Sequence, residues 1–332
     1  MRKKKVTMAD IATAVGVSQP TVSAILNNSD TIKVSEATKI KVLNKAKEIG
    51  YVLKQPIRHS NTHPRIALIV NSLNMHDPFI NAISAAKTRA WELDYILTVF
   101  DFEEDEQLRK AILDEIIESG FKSIIYATNT PKSNIKVSDL PSLPVVMLNC
   151  SSDEPVDIPA VIPADYLGGY KATEHLIAQQ YKNIGMVTGE NWDESSNQRL
   201  RGFKQALINA DRPCNPKWIV EGNWSVKQSY LQTLEMLSGE SRPDAIFCAS
   251  DLMAVGCYQA IASKGLRIPQ DIGVIGYDNQ LLASELTPTL SSVDLPYDEM
   301  GRKAVEILCH ACEEEILPII KVEGDLYIRE ST

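Results

Sequence analysis

The chain lacks the long apolar segments of membrane proteins. No run of eighteen apolar residues occurs among its 332 residues, so no helix is expected to span a bilayer. The basic residues at the N-terminus are not followed by an apolar segment, which argues against a secretory signal. The six cysteines are scattered along the chain, a distribution that suits reduced thiols. We therefore expect a cytoplasmic protein without a membrane partner.

Sequence motifs of catalysis are also scarce. No Gly-x-Gly-x-x-Gly follows the first predicted strand, and neither a P-loop nor a Gly-x-Ser-x-Gly elbow occurs. Cys309 and Cys312 form a Cys-x-x-Cys pair, but no second ligand pair accompanies them, so we expect no metal site. These absences argue against an enzyme, and we predict no catalytic residue and no cofactor.

The charge of the chain is divided unevenly along its length. Residues 1–65 contain twelve lysines or arginines and four acidic residues, a net charge of +8. The whole chain has a net charge of −9, which leaves −17 for residues 66–332. An acidic protein with a basic N-terminal segment is suited to holding nucleic acid at one end.

The same basic segment contains a pattern of two short helices. Thr7 is predicted to cap the first helix, with Asp10 completing a capping box. Gly16 permits a left-handed residue at the turn, and Ser18 caps a second helix whose first turn contains Pro20. This arrangement is a helix-turn-helix. An ordinary helical hairpin is the alternative, and the positive charge favours a DNA-binding role over it.

The second helix is expected to present small and amide side chains to a major groove. The outward residues of this prediction are Gln19, Thr21, Ser23, Ala24 and Asn27. Alanine can touch a thymine methyl group but cannot donate to guanine, so we expect Gln19 and its neighbours to discriminate between bases. A third helix is predicted from Ser35 to about Ile49, with its inward side chains at Ile40, Leu43, Ala46 and Ile49, and Lys33 near its start could contact phosphate.

These N-terminal motifs resemble a known family. Residues 6–27, 34–38 and 48–51 are similar to the DNA-binding head of the LacI/GalR family of bacterial transcription regulators, and the resemblance covers nearly the whole chain. It implies that double-stranded operator DNA is bound through Thr7, Ser18, Gln19, Pro20, Thr21, Ser23, Ala24, Asn27 and Lys33. The family's linker leucine, which wedges into the minor groove, has Ile57 as its one apolar substitute here.

From Arg65 onward, nine β-branched runs, the first at 66–71 and the last at 272–277, alternate with seven helical stretches. This alternation predicts α/β architecture with parallel sheets and helices on both faces. The pattern resembles the periplasmic-binding-protein-like core of the family, with two doubly wound subdomains and three crossings near residues 163, 291 and 323. We expect an all-α helix-turn-helix domain at 1–55, a proline-interrupted linker at 56–64, and an effector-binding and dimerisation domain at 65–332. Its subdomains are 65–163 with 291–323, and 164–290 with 324–332.

Ligands of open α/β sheets bind beyond the carboxyl ends of the strands, where this chain has several polar and aromatic residues. Those expected to contact an effector are Asn71, Asp77, Phe79, Asn149, Arg199, Trp224, Asp251 and Asp278. Carboxylates, amides and an aromatic ring suit the hydroxyls and apolar face of a sugar. The alternatives are helix or turn capping by Asp251 or Asp278, core packing by Trp224, and an exposed helix charge or a structural ion pair for Arg199. The resemblance favours effector contact for Arg199, Trp224 and Asp278.

The resemblance implies a ligand-responsive DNA-binding transcriptional regulator. We expect a repressor of a carbohydrate-utilisation operon that binds a near-palindromic operator, with a sugar or sugar derivative in the cleft between the subdomains. The chain has no leucine heptad tail, so a homodimer is expected and not a tetramer. A transport-type sugar-binding protein, which shares the core fold, is the alternative, and the basic N-terminal segment argues against it.

Overall fold

The structure, a computed structural model, describes residues 7–26, 34–49, 63–73, 77–132, 135–136, 140–152, 154, 158–310 and 319–332. The chain divides into two compact units, residues 1–62 and 63–332. The sequence predictions for Asn27, Lys33, Ile57 and Cys312 lie outside the described residues.

The first unit contains three helices, α1 (Met8–Val15), α2 (Gln19–Leu26) and α3 (Glu36–Glu48). Their apolar side chains form a small core, whose buried members are Ile11, Ala12, Val22, Ile25, Leu26, Val42 and Ala46. Because Val22, Ile25 and Leu26 recur at helical spacing, α2 packs one face against its neighbours and leaves another face to solvent. The predicted pair of helices is therefore confirmed.

The inward face of α3 differs from the sequence prediction. Ala46 is buried and Ile49 is partly buried, as expected, but Ile40 and Leu43 are 53% and 42% exposed. Val42 takes the inward position. Apolar residues occur on two faces of this helix, and the row Val42, Ala46 and Ile49 has the i, i+4, i+7 spacing that faces a core equally well.

The second unit contains two six-stranded sheets. Its helices are α4 (Ile80–Glu92), α5 (Glu106–Glu118), α6 (Asp165–Ala178), α7 (Glu194–Asn209), α8 (Val226–Met236), α9 (Asp251–Ser263), α10 (Leu281–Glu285) and α11 (Tyr297–His310). Its strands are β1 (Arg65–Val70), β2 (Ile96–Asp101), β3 (Ser123–Lys132), β4 (Val145–Cys150), β5 (Ala160–Pro163), β6 (Ile184–Thr188), β7 (Ile219–Glu221), β8 (Ala245–Cys248), β9 (Gly273–Asp278), β10 (Ser291–Asp294), β11 (Ile319–Val322) and β12 (Leu326–Tyr327).

The strand order is β11-β5-β4-β3-β1-β2 in the first sheet and β12-β10-β9-β8-β6-β7 in the second. All neighbouring strands are parallel except β12, which pairs antiparallel with β10. Strands such as β1, β4 and β6 are buried along almost their whole length, as expected for sheets covered by helices on both faces. The predicted fold class is confirmed.

The chain passes between the two sheets three times, after Pro163, after Asp294 and after Val322. The second crossing comes slightly later than the sequence suggested, because the short strand β10 pairs with β9 in the second sheet. The crossing segments lie side by side. The amide of Ala164 donates to the carbonyl of Val322 (2.8 Å), and the amide of Asp294 donates to that of Asp325 (2.7 Å).

The helices of the described part of the chain do not include one that is long and apolar enough to cross a membrane.

Candidate functional site

The turn between α1 and α2 has the capping geometry that the sequence predicts. The Asp10 carboxylate accepts from the amide of Thr7 (2.8 Å), and the Thr7 hydroxyl accepts from the amide of Asp10, which confirms the capping box. Gly16 is left-handed with φ +73°. The Ser18 hydroxyl accepts from the amide of Thr21 (3.2 Å) and so caps α2. These contacts fix the angle at which α2 leaves the turn.

The outer face of α2 is narrower than the sequence indicated. Gln19 and Pro20 are exposed at its first turn, whereas Thr21 and Ser23 are partly buried. Ala24 is only 7% exposed, so the expectation that it faces outward is wrong. A side chain of one carbon barely extends beyond the backbone and is easily covered, which the sequence pattern cannot show. Gln19 is the exposed side chain of α2 with both hydrogen-bond donors and an acceptor.

In the second unit, Arg199 on α7 lies at the centre of a buried polar cluster. Its Nε donates to Asp165 Oδ1 (2.8 Å) and its Nη1 donates to the carbonyl of Ala249 (2.6 Å). Nη1 is also 3.6 Å from Asp278 Oδ1, and the guanidinium lies 3.7 Å from the centre of the Tyr277 ring. Burial alone would lower the pKa of Arg199, but the surrounding acidic groups raise it, so the side chain stays charged.

Asp165 was missed by the sequence reasoning. It is the first residue of α6, directly after the first crossing, and it accepts from both Arg199 and the hydroxyl of Ser195. Acidic residues are common at the start of a helix, where the helix dipole favours negative charge. The sequence alone therefore does not indicate that Asp165 pairs with a distant arginine. The structural ion pair considered for Arg199 is thus present.

Asp278 ends β9 with a positive φ of +101° and accepts from the Gln280 side chain (3.2 Å). Burial raises its pKa to about 7, although Arg199 and the Gln280 hydrogen bond lower it, and the charges of Asp165 and Asp77 add to the rise. Asp278 does not cap a helix in this structure, where α10 begins at Leu281. Both the protonated and the ionised form of Asp278 are therefore accessible near neutral pH.

Trp224 borders the same cluster. Asn223 and Trp224 both have positive φ values, +51° and +53°, and the guanidinium carbon of Arg199 lies 5.7 Å from the centre of the indole ring. A side chain on Gly189 would clash with this ring, so the glycine is required for the ring's position. Trp224 is partly buried and packs against the core of the second unit, as the core-packing alternative expects.

The first sheet contributes a chain of amide and carboxylate contacts. Asn71 Oδ1 accepts from the amide of Asn129 (2.9 Å), and Asn129 Nδ2 donates to Asp77 Oδ2 (3.1 Å). The other oxygen of Asp77 accepts from the amide of Phe79 (2.9 Å) at the start of α4. Burial raises the pKa of Asp77. Asn129, in the second half of β3, was missed because β3 runs further than its apolar residues indicate.

Tyr297 lies between the polar groups around Arg199 and those around Asp77. Its hydroxyl accepts from Asn149 Nδ2 (3.3 Å), and burial raises its pKa well above the usual value, with Asp77 and Asp278 adding to the rise. Asn149 Oδ1 is buried and has no hydrogen-bond partner within the described part of the chain. Asp77, in the segment before α4, and Asn149 on β4 therefore lie near Asp278 at the end of β9.

Two of the predicted effector contacts are fully buried in this structure. Phe79 has no exposed surface and packs edge-on against Tyr297, with ring centres 5.2 Å apart, so it belongs to the core. Asp251 is also fully buried, and both of its oxygens are used: Oδ1 accepts from the Ser292 hydroxyl (2.7 Å) and Oδ2 from the amide of Gln280 (2.8 Å). Since Ser250 caps α9, Asp251 is not the N-cap of that helix.

A cavity of about 330 Å³ lies at the carboxyl ends of β4, β5 and β11 and the starts of α6 and α7. Its charged and amide lining residues are Asn149, Asp165, Glu194, Gln198, Lys321 and Glu323. Residues from both subdomains line it, and it adjoins the Arg199 cluster through Asp165. The cavity has room for a small polar molecule.

Comparisons with known proteins match both units. Residues 7–53 match the family described as bacterial regulatory proteins, lacI family, and residues 173–332 match a periplasmic binding protein-like domain. The ribose operon repressor of Haemophilus influenzae is 33% identical over 330 residues, 98% of each chain. The transcriptional repressor PurR of Pasteurella multocida is 31% identical over 332 residues, 98% of each chain.

Solved structures show the same architecture. The Lac repressor bound to ONPG in the repressed state matches with a TM-score of 0.71 and 26% identity, covering 99% of this chain and 100% of that one. The transcriptional regulator CelR in complex with cellobiose matches with a TM-score of 0.68 and 24% identity, covering 98% and 100%. The similarity thus extends over both units.

Proposed function

Because this chain belongs to the LacI family of bacterial regulatory proteins, we propose that it is a transcriptional repressor that binds operator DNA as a homodimer and responds to a small molecule held between its subdomains. The named relatives are repressors and not transport proteins or enzymes. The regulated genes are proposed to be those of carbohydrate use, as the name of the ribose operon repressor indicates for that relative.

The observation that carries the proposal is the capped turn between α1 and α2 in the most basic part of the chain. The N-terminal residues of the second helix of a helix-turn-helix contact base edges in the major groove. Gln19 is exposed at this position. Gln19 and Thr21 are proposed to contact the bases or the backbone of the DNA. The neighbouring residues proposed to contact the DNA around them are Thr7, Ser18, Pro20 and Ser23.

The proposed domains are a DNA-binding head at 1–55, a linker at 56–64 and an effector-binding core at 65–332. In the core, Asp77, Asn149, Trp224 and Asp278 are proposed to face the effector. Arg199 is proposed to position Asp278, with Asp165 as its ion-pair partner. Asn71 is proposed to position Asp77 through its hydrogen bonds to Asn129. Closure of the two sheets on the ligand would change how the two heads of a dimer are held.

Selection from a pool of random DNA duplexes tests the proposal. We expect the full chain to enrich an inverted repeat, since two equal heads read two half-sites. Gln19→Ala should weaken binding to that repeat by about 1–3 kcal/mol and relax the preference at one base pair of each half-site. Quantitative gel shifts on the selected duplex and its single-base variants measure both effects.

Lys204→Ala, on the exposed face of α7 in the second unit, is the matched control and should leave both quantities unchanged. Failure of the chain to enrich any duplex would contradict the proposal. An unaltered base preference in Gln19→Ala would contradict the role of that residue.

A further inference from the structure

The buried guanidinium of Arg199 is already neutralised within the protein. Arg199 forms an ion pair with Asp165 at 2.8 Å and approaches Asp278 to 3.6 Å, and all three side chains are less than 10% exposed. Two carboxylates therefore face one guanidinium. Its Nε and Nη1 groups donate to protein oxygens, so they are not available to a ligand unless these bonds are broken.

The surrounding charges are mostly negative. Asp193 lies close enough to Arg199, Asp165 and Glu190 for their charges to act on it, and Asp77 lies close enough to act on Asp278. The adjoining cavity is lined by three carboxylates, and among the described residues that line it Lys321 is the only cation. Lys321 is exposed to solvent, which screens its charge.

Several acceptor atoms in this region are not fully used. Asn149 Oδ1 and Glu190 Oε2 are buried and have no hydrogen-bond partner among the described residues. The carboxylates of Asp77 and Asp278 have further lone pairs beyond the bonds they accept. Such atoms are complemented by ligand hydroxyl groups, which donate without carrying charge, and the indole of Trp224 offers an apolar surface beside them.

We propose that the cleft selects uncharged, hydroxyl-rich molecules and rejects the phosphorylated or carboxylated forms of the same molecules. This inference rests on the proposed role of the cleft as the effector site. An anion placed there would face a surplus of carboxylates around an arginine that is already paired with Asp165, and the cost of burying an unpaired charge is high. The regulator would thus sense a free sugar or nucleoside before its phosphorylation.

Matched pairs of probes test the proposal on the full chain in the absence of DNA. D-Ribose, D-glucose and adenosine would be titrated beside D-ribose 5-phosphate, D-glucose 6-phosphate and adenosine monophosphate, with cellobiose as a further neutral probe. Thermal melting and tryptophan fluorescence report binding. We expect at least one neutral probe to bind, and its phosphorylated counterpart, where one is in the panel, to bind at least 100-fold more weakly.

Asp77→Asn tests the cause of this discrimination. It removes one negative charge while keeping the shape, so it should reduce the preference for the neutral form over the phosphorylated form about tenfold. Asp211→Asn is the control, because Asp211 is exposed and has a positive φ of +51° that asparagine also tolerates. It should leave the preference unchanged.

Equal or tighter binding of a phosphorylated probe would overturn the inference, and so would the absence of binding by every neutral probe. A chain that binds a neutral probe but enriches no DNA duplex would contradict the proposed repressor function alone. The two failures are therefore distinguishable.

Discussion

Asp278 is the residue whose chemistry depends most on its surroundings. Its carboxylate faces Arg199, Asp165, Asp77 and Asp251 and accepts a hydrogen bond from Gln280, and burial outweighs the guanidinium in setting its pKa at about 7. An exposed aspartate would be fully ionised at that pH. The charge of this one side chain is therefore adjustable in the physiological range.

We predict that the affinity for a neutral sugar rises with pH through neutrality. An ionised Asp278 accepts hydrogen bonds from hydroxyl groups, whereas its protonated form has lost part of that capacity. With a pKa of about 7, the ionised fraction of Asp278 is about tenfold larger at pH 8 than at pH 6, so the dissociation constant should fall by up to about tenfold.

Calorimetric titration of the bound neutral probe at several pH values measures this change. In Asp278→Asn the affinity should be lower and the pH dependence should be much flatter. Asp211→Asn should keep the wild-type profile, because this exposed side chain is remote from the titrating groups by its position at the end of α7. A wild-type profile that is flat from pH 6 to 8 would contradict the prediction.

Sequence reasoning worked at the residue level where chemistry is local and failed where it depends on distant partners. The Thr7 and Asp10 capping box needs only neighbours in sequence, and it was predicted fully. Arg199 was identified as a candidate, but its partner Asp165 lies 34 positions earlier and is brought to it only by tertiary folding. The burial of Ala24 and Phe79 likewise depends on packing around them.

At the scale of elements, the contact between α6 and α7 positions the site. The two helices approach closely at Gly169 and Gly202, where added methyl groups would overlap the backbone carbonyl of Arg199 and that of Tyr166. Glycine at these positions lets the backbones meet and brings Asp165, at the start of α6, to the Arg199 side chain on α7. The polar cluster thus depends on two residues without side chains.

We predict that Gly202→Ala destabilises the fold by about 1–3 kcal/mol, since overpacking a well-packed contact costs this much. The forced separation of α6 and α7 should also weaken binding of the neutral probe, because Asp165 and Arg199 move apart. Denaturant unfolding and ligand titration measure the two effects.

Lys204→Ala, an exposed substitution on the same helix, should change neither stability nor binding appreciably. Wild-type stability in Gly202→Ala would show that the helices can separate without cost, contrary to the prediction.

The major elements were predictable because their apolar patterns are long and regular. The nine predicted strands all occur, whereas β10, β11 and β12 were missed, since they have only two to four residues and β10 is largely polar. Because β10 was missed, the second crossing was expected near residue 291, slightly before its position after Asp294. The rotation of α3 was ambiguous because its apolar residues occupy two faces.

At the scale of the whole molecule, apolar surface remains exposed on the second unit. Leu281 on α10 is 79% exposed and Leu252 on α9 is 41% exposed. The two helices are close, because the Asp251 carboxylate accepts from the amide of Gln280. Exposed apolar side chains that lie near one another are a feature of protein interfaces. We propose that they contribute to the homodimer contact.

We predict that Leu281→Glu raises the dissociation constant of the dimer at least tenfold, because the same charge would enter from both copies of a symmetric interface. Sedimentation velocity over a range of concentrations measures the change, and binding to an inverted repeat should become weaker in parallel.

Ile208→Glu, at a 63% exposed position on α7, is the matched control and should leave the dimer intact. Unchanged self-association of Leu281→Glu would exclude this surface from the dimer contact.

The three neighbouring crossings constrain how the two sheets of the core can move. Hydrogen bonds join Ala164 to Val322 and Asp294 to Asp325, and a methyl group on Gly324 would overlap the carbonyl of Asp294. Three crossing segments held side by side can bend together about one hinge axis, but they resist sliding and twisting of one sheet against the other. A molecule bound between the sheets would therefore change mainly one quantity, the angle between the two sheets.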